Sequence, residues 1–390
     1  MAIQIITWFL FFALFYLLAT SLIFLRNRVD LTPLYTMRES NENPKISVCI
    51  PARNEEETIG KLLASLKNQT WTNYTVHVLD DQSTHHTFEI ADSYQKKYPG
   101  KFFIHSGEDK PKGWLGKSWA CYQLSKKTNG KLLLFLDADT EIKSTFLEHT
   151  VYSMAHYNLD MLTVWPRQKL ITFWEQTIIP VVFYTLLTLL PAIYVYRVPR
   201  WIPSNLRKKM APKFAAACGQ CLAFRRDTYE KIGGHESVKD QVVEDVELAK
   251  VIKEYGYTLR MFSGIGSISC RMYSNRTEIL EGFRKNFLLG FNNNIVAFIA
   301  AAILHLIVFV LPFFTFILSF MLFDPVIFFL SVASVSIILI ERLILAIWYK
   351  INPFYAFTHP LAVLWFQMLA IVKIRDYYSG RMSVWKGRNV

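Results

Sequence analysis

The pattern of apolar and polar positions opens on a run from Ile3 to Leu25 without a charged residue, long enough for the roughly 20 residues with which a helix crosses a hydrocarbon core. A cleaved leader would carry its basic residues ahead of a shorter run. Here Arg26 and Arg28 follow it, so the segment reads as a retained anchor. Residues 26–44 are polar and irregular, as in a linker. Lys45 to Ile50, ended by Pro51, predicts a buried strand. Glu55 to Asn68 places Ile59, Leu62, Leu63 and Leu66 at helical spacing, and Thr75 to Leu79 predicts a second strand running into Asp80 and Asp81. A helix over 88–98, a strand at 102–105, a helix over 118–127 and a strand at 131–136 continue the alternation. The class this predicts is α/β, with a mostly parallel, Rossmann-like, doubly wound sheet whose ligand lies beyond the carboxyl ends of its strands.

A last apolar block comprises Ile295 to Phe323, Pro325 to Tyr349 and Phe354 to Val372, of which at least two segments should cross a bilayer. The third is the weakest, being broken by His359-Pro360 and carrying Gln367, and reads as interfacial or re-entrant. Glu341 and Arg342, near the end of the second, can pair or reach the interface, a topology anchor being the plainer meaning. The stretch Ile171 to Tyr196 is also apolar, but a single crossing there would put two halves of one active site on opposite faces. It is therefore expected to be interfacial or re-entrant, at an acceptor entrance. The expected organisation is an anchor at 1–28, a catalytic domain at 44–291 that includes 171–196, a membrane region at 292–376 and a basic tail at 377–390.

Composition strengthens the membrane reading: 52% of the 390 residues are hydrophobic and 15% aromatic, difficult to hide from water in a soluble domain. The net charge of +12 is spread along the chain without a nucleic-acid motif, so nucleic acid is not expected as a partner. Membrane lipids and donor phosphates are. Lys and Arg beside membrane segments favour the cytoplasmic side, which places the catalytic segment and the tail there. The five cysteines then sit in a reducing compartment, without structural disulfides. Nothing in the sequence specifies an oligomeric state.

Four polar motifs recur at strand ends. Pro51-Ala52-Arg53-Asn54-Glu55-Glu56 follows the first strand and, as plain structure, would cap a helix. Asp80-Asp81-Gln82-Ser83 follows the second and would otherwise be a solvated turn. Asp137-Ala138-Asp139 follows the most apolar strand. In extended chain residues i and i+2 share a side, so Asp137 and Asp139 can hold one hard divalent cation, Mg²⁺ or Mn²⁺, that bridges diphosphate oxygens. Val243-Glu244-Asp245-Val246 opens a helix; Glu244 or Asp245 can take a proton from an acceptor hydroxyl, or can simply be acids favoured by the helix dipole.

With these motifs over residues 44–291 the sequence resembles a family 2 glycosyltransferase with a GT-A fold. The resemblance implies that Asn54 and Glu55, with Asp80 or Asp81, hold the nucleotide, that Asp137 and Asp139 hold the metal, and that Glu244-Asp245 supplies the base, Asp245 being the first choice. Gly113-Trp114-Leu115-Gly116-Lys117-Ser118-Trp119-Ala120-Cys121, Arg271-Met272-Tyr273 with Glu281-Gly282-Phe283-Arg284-Lys285, His359-Pro360 and Trp385-Lys386-Gly387-Arg388 resemble the diaponeurosporenoate glucosyltransferases of carotenoid pathways and related hopanoid-associated enzymes. They imply a UDP-sugar donor, glucose as the sugar, and a carotenoid or other isoprenoid acceptor. Lys117 can reach the diphosphate as a point charge or be a surface lysine. The QxxRW signature of other family members is absent, which leaves Arg271, Arg276 and Arg388 to close over the diphosphate. Trp385 and Arg388 can form a lid over the site or belong to a lipid-binding tail. Cys218-Gly219-Gln220-Cys221 lacks the second pair of a zinc site and is implied as a wall of the acceptor pocket, with Gly233-Gly234-His235; His235 can also be a solvated loop histidine. A polyprenyl-phosphate sugar transferase shares these motifs. A non-catalytic scaffold or sugar sensor would not need a base opposite a metal site. With one carboxylate cluster and no separate nucleophile, inversion is expected.

Overall fold

The computed structural model describes residues 1–390 except Ser40, Asn292, residues 380–383, 386–387 and 390, together with the side chains of Ala2, Lys285, Asn286, Leu289, Val384, Trp385, Arg388 and Asn389. Its elements run α1 (Ala2–Asp30), β1 (Ile46–Ala52), α2 (Ile59–Leu66), β2 (Tyr74–Asp80), α3 (Thr87–Lys97), β3 (Phe102–Ser106), α4 (Gly116–Lys126), β4 (Leu132–Leu136), β5 (Thr140–Ile142), α5 (Phe146–His156), β6 (Met161–Trp165) and β7 (Arg167–Gln168). There follow α6 (Phe173–Leu189), α7 (Ile193–Tyr196), α8 (Ser204–Met210), β8 (Cys221–Arg225), α9 (Arg226–Lys231), α10 (Glu244–Glu254), β9 (Leu259–Ser263) and β10 (Ile268–Cys270). The chain continues through α11 (Arg276–Asn286), α12 (Ile295–Phe309), α13 (Leu311–Leu322), α14 (Pro325–Tyr349), α15 (His359–Ser379), β11 (Val384–Trp385) and β12 (Arg388–Asn389).

By their contacts the residues form two units. One, here the sheet unit, is Asp30–Lys169 with Ala192–Met272; the other, the terminal unit, is Met1–Val29, Leu170–Pro191 and Tyr273–Val390. These limits differ from those expected of the sequence. Residues 30–44 are not a free linker, because Leu31 and Leu34 are buried and Pro33 bridges Ser263 at the end of β9. Residues 170–191 pack with the terminal helices: Asn27 donates its amide to the carbonyls of Leu187 and Leu190.

The sheet unit is built on a seven-stranded sheet in the order β3-β2-β1-β4-β8-β6-β9. Only β8 runs against the others, pairing antiparallel with both β4 and β6. Strands buried on both faces need no alternation, and β4 is an unbroken Leu-Leu-Leu-Phe-Leu. Pro51 does not end β1 but lies within it, opposite Leu79 of β2. The β1–β4 ladder has already stopped at Cys49, so the missing proline N–H leaves no carbonyl of β4 unanswered. At Gly130, ahead of β4, a Cβ would come within 2.6 Å of the Ser47 nitrogen; the two strands enter the sheet that close together. A small second sheet orders β5, β10 and β7.

In the terminal unit α1 and α14 are each long and apolar enough to cross a membrane, and α12 with α13 only as a pair bent by 41°. The chain is thus membrane-associated. Residues 359–360 do not break the third apolar segment. They begin α15, whose first turn tolerates a proline because that nitrogen has no intrahelical acceptor. α15 is not among the described helices apolar enough to cross. Several residues of the resembling motifs here have packing roles: Arg284 of α11 grips Asp376 of α15 through two hydrogen bonds of 2.7 and 2.8 Å, and Gly282 makes room for the Tyr273 ring.

Candidate active site

Because β1, β2 and β4 are parallel and in register, their carboxyl ends reach one edge together: Ala52 lies opposite Asp80, and Asp137 follows directly on β4. β8 enters from that same edge, with Cys221 opposite Leu136. The residues just before it therefore arrive at the site, and the Asp137 amide donates to the Gln220 carbonyl at 3.2 Å.

The centre of the site is a lysine. Lys117, in the first turn of α4, holds its Nζ 2.8 Å from Asp137 Oδ1 and 3.0 Å from Glu244 Oε1, with the Gly219 carbonyl at 3.4 Å. It is not a free surface lysine. Burial opposes its charge, but Asp137 and Glu244 outweigh that and hold the ammonium well above the ordinary lysine range. Glu244 is the mirror case: burial alone would raise its carboxyl, and Lys117 holds it below its usual value. Its neighbour Asp245 accepts the Gly219 amide at 2.6 Å and the Val246 amide at 2.9 Å, yet burial first and the Glu244 charge second push it up to about 7. At position 219 a Cβ would sit 3.2 Å from both Asp245 Oδ2 and Lys117 Nζ, so glycine lets the two side chains approach without a shift.

The aspartate pair departs from the extended geometry expected of it. Asp137 to Asp139 is a turn, closed by the Thr140 amide on the Asp137 carbonyl, so the alternation of a strand does not apply. The two carboxylates nonetheless lie within electrostatic reach of each other. Asp139 is lifted to about 7 by burial and then by Asp137, and Asp137 is raised by burial against the pull of Lys117. A buried hydrogen-bond chain orients Asp139: Gln168 donates to Gln220 at 3.1 Å, Gln220 to the Cys270 sulfur, and the Cys270 thiol to Asp139 Oδ2 at 3.3 Å. The other oxygen, Oδ1, is buried without a hydrogen-bond partner. An unpartnered carboxylate oxygen beside a second carboxylate suits a hard divalent cation. Among the described residues no three His, Cys, Asp or Glu side chains converge as a metal cage, so such a cation would take its other ligands from substrate oxygens and water.

On the other side, Asn54 adopts a left-handed φ of 54°, its Oδ1 accepting the Thr84 amide and its own amide donating to Ser83 Oγ. Asn54 therefore clasps the 82–84 loop instead of capping α2, whose N-cap is Thr58. Asp80 accepts the Ser83 amide through Oδ2 and leaves Oδ1 buried and unpartnered; Asp81 is buried beside it, its amide on the Ala52 carbonyl. Glu55 lies within electrostatic reach of Asp137 and Asp139. Arg271 follows in sequence on Cys270, whose thiol donates to Asp139. The side chains of Trp385 and Arg388 lie outside the described residues.

His235 is not a solvated loop histidine. It is 1% exposed, its ring hydrogen-bonds the Tyr229 hydroxyl at 2.7 Å, it packs edge-on to Phe135 of β4, and burial lowers it to about 4. Cys221 is likewise a core residue. The sequence reading missed Cys270 and the placement of Gln220; the Cys-Gly-Gln-Cys run was the available signal, but its weight lies in the glycine and glutamine.

With this geometry in place, residues 47–233 match the family model "Glycosyl transferase family 2". They form a family 2 glycosyltransferase domain. Residues 204–385 match "Glycosyl transferase family 21", and that stretch contains Glu244 and Asp245. Among curated proteins the chain is 28% identical over 267 residues to the 4,4'-diaponeurosporenoate glycosyltransferase of Staphylococcus haemolyticus strain JCSC1435, covering 68% of this chain and 66% of that one. To the protein of the same name from Staphylococcus aureus strain USA300 it is 27% identical over 252 residues, covering 63% and 61%. The matches thus span just under two thirds of those relatives. Among solved structures, the mannosyltransferase PcManGT of Pyrobaculum calidifontis, in complex with GDP-Man and Mn²⁺, superposes with a TM-score of 0.55 at 16% identity over 97% of this chain and 99% of that one. That similarity establishes the GT-A fold of the glycosyltransferase domain.

Proposed function

We propose that the protein transfers a hexose, glucose, from a UDP-sugar to an isoprenoid lipid of the carotenoid class at the cytoplasmic face of a membrane, with inversion at the sugar carbon. The observation that carries this reading is the Lys117 ammonium held between Asp137 and Glu244, with Asp245 anchored beside it on the Gly219 amide. Asp245 is the general base: at about 7 its carboxylate is poised to take the proton of an acceptor hydroxyl near neutral pH. Glu244, kept ionised by Lys117, holds the ammonium toward the leaving diphosphate. Asp80 and Glu55 orient the nucleotide. Asp137 and Asp139 would hold Mg²⁺ or Mn²⁺, which would supply positive charge to that diphosphate. The names of the staphylococcal relatives support the acceptor class, α1 and α14 support membrane association, and Arg26 with Arg28 supports the cytoplasmic side.

The test is to incubate membranes containing the protein with a panel of labelled nucleotide sugars and isoprenoid lipids and to analyse the lipid product by mass and NMR. UDP-glucose should label the lipid, with a β-linkage formed from the α-linked donor. Asp139→Asn, still folded, should be nearly inactive, as should the wild type in excess chelator. Retained configuration sinks the mechanism, and full activity in chelator sinks the metal assignment.

A further inference from the structure

The terminal unit buries a polar cluster that its own groups leave incomplete. Glu341 and Arg342 of α14 are 4% and 2% exposed, whereas Ile340 and Ile347 of the same helix are 55% and 70% exposed. The pair therefore faces inward, away from the surface where a topology anchor would sit. Tyr184 of α6 donates its hydroxyl to Glu341 Oε2 at 2.6 Å, and Arg342 Nη2 donates to the Tyr355 carbonyl at 3.3 Å. Arg342 Nε and Nη1, Glu341 Oε1 and both ring nitrogens of His359 have no partner. His359 is wholly buried, its ring 5.4 Å from those of both Tyr184 and Phe309, and the Arg342 charge acts on Tyr184 and His359 alike. Glu341 and Arg342 do not pair with one another, since adjacent helical residues project about 100° apart.

A guanidinium does not shed its proton to escape burial, and buried donors without acceptors are rare enough to call for a missing partner. That partner is an oxyanion. Its body is apolar, because the rings of Phe309 and Phe313 flank His359. It carries a single charge, because the Glu341 carboxylate lies one residue from the cation and would oppose a dianion. We propose that this cluster binds the carboxylate head of a long-chain amphiphile, with Arg342 as the counter-charge, His359 as a second donor and Phe309 and Phe313 against the adjoining chain.

The site lies wholly within the terminal unit and is independent of the proposed sugar transfer, so the two stand or fall by separate measurements. The probe is radiolabelled oleate, with the full-length protein in phosphatidylcholine nanodiscs and empty discs as the background. Saturable binding at one site per chain is expected, with oleyl alcohol and acetate at least roughly tenfold weaker, and Arg342→Gln should weaken oleate by a similar factor while Arg342→Lys keeps part of it. His359→Phe should weaken oleate several-fold and serves if Arg342→Gln fails to fold. Unchanged oleate affinity in either folded variant, equal binding of oleyl alcohol, tighter binding of dodecyl phosphate than of oleate, or no saturable binding above empty discs would each overturn the proposal.

Discussion

Each unit of the molecule buries a cation, and the two are treated in opposite ways. Lys117 in the sheet unit is enclosed by Asp137, Glu244 and the Gly219 carbonyl, so its charge is answered before any substrate arrives. Arg342 in the terminal unit has a single carbonyl within reach and two nitrogens unanswered. A charge complete in itself contributes to stability and can be presented to a transition state without reorganisation. One left incomplete costs stability until a ligand supplies what is missing.

The strongest way to break this comparison is through the base. Asp245→Asn should lower kcat with a hydroxyl-bearing acceptor roughly a thousandfold while nucleotide binding is retained, as measured by single-turnover transfer and by equilibrium binding. If Glu244→Gln proves the more damaging change, the base is Glu244. Removing the lysine comes next: Lys117→Met should cost roughly a hundredfold in kcat. It should also lower stability by about 1–2 kcal/mol, short of a fully buried pair because the lysine side chain is 38% exposed. In the same thermal unfolding experiment Arg342→Met should leave the ligand-free protein no less stable, and a large fall there would mean that Arg342 is already satisfied.

The pH profile is a finer probe. Only the ionised Asp245 can accept a proton, so kcat/KM should climb about tenfold per unit below about 7 and level off above it. A flat profile from pH 6 to 8 counts against this base. The smallest effect on turnover concerns His235, whose folded value of about 4 lies below the 6.5 of an unfolded histidine. Its contribution is therefore present above pH 6.5 and lost as pH falls toward 4, up to about 3 kcal/mol. Asp139 and Asp245, raised in the fold, act in the opposite sense, so the measurement is the difference between His235→Phe and wild type. That variant should be about 1 kcal/mol less stable at pH 8, having lost its hydrogen bond to Tyr229, and, because the roughly 2 kcal/mol that wild type loses by pH 5 does not apply to it, about 1 kcal/mol more stable at pH 5, with kcat little changed.

What the sequence by itself determined is whatever depends on neighbours along the chain. The apolar runs of α1 and α14 and the alternation through β4 were legible because burial and backbone pairing dictate composition within a single segment, and the acidic motifs at 54–55, 80–81 and 137–139 were legible because each follows such a strand. The boundaries shifted where one dihedral intervened: Asn54, in the left-handed region, delays α2 to Ile59, and the Asp137–Asp139 turn replaces an expected extension. Residues 143 to 270 were largely closed to this reading, since β8 runs against its neighbours and the short strands of the second sheet pair with partners more than a hundred residues away. Only the tertiary structure decided that Lys117, Gly219 and Asp245 meet, that Gln168, Gln220 and Cys270 orient Asp139, that His235 is buried, and that Arg342 turns inward. The reason in each case is the same: a charge or hydrogen-bond donor acquires its meaning from what it faces across the fold, and sequence separation carries no record of that distance.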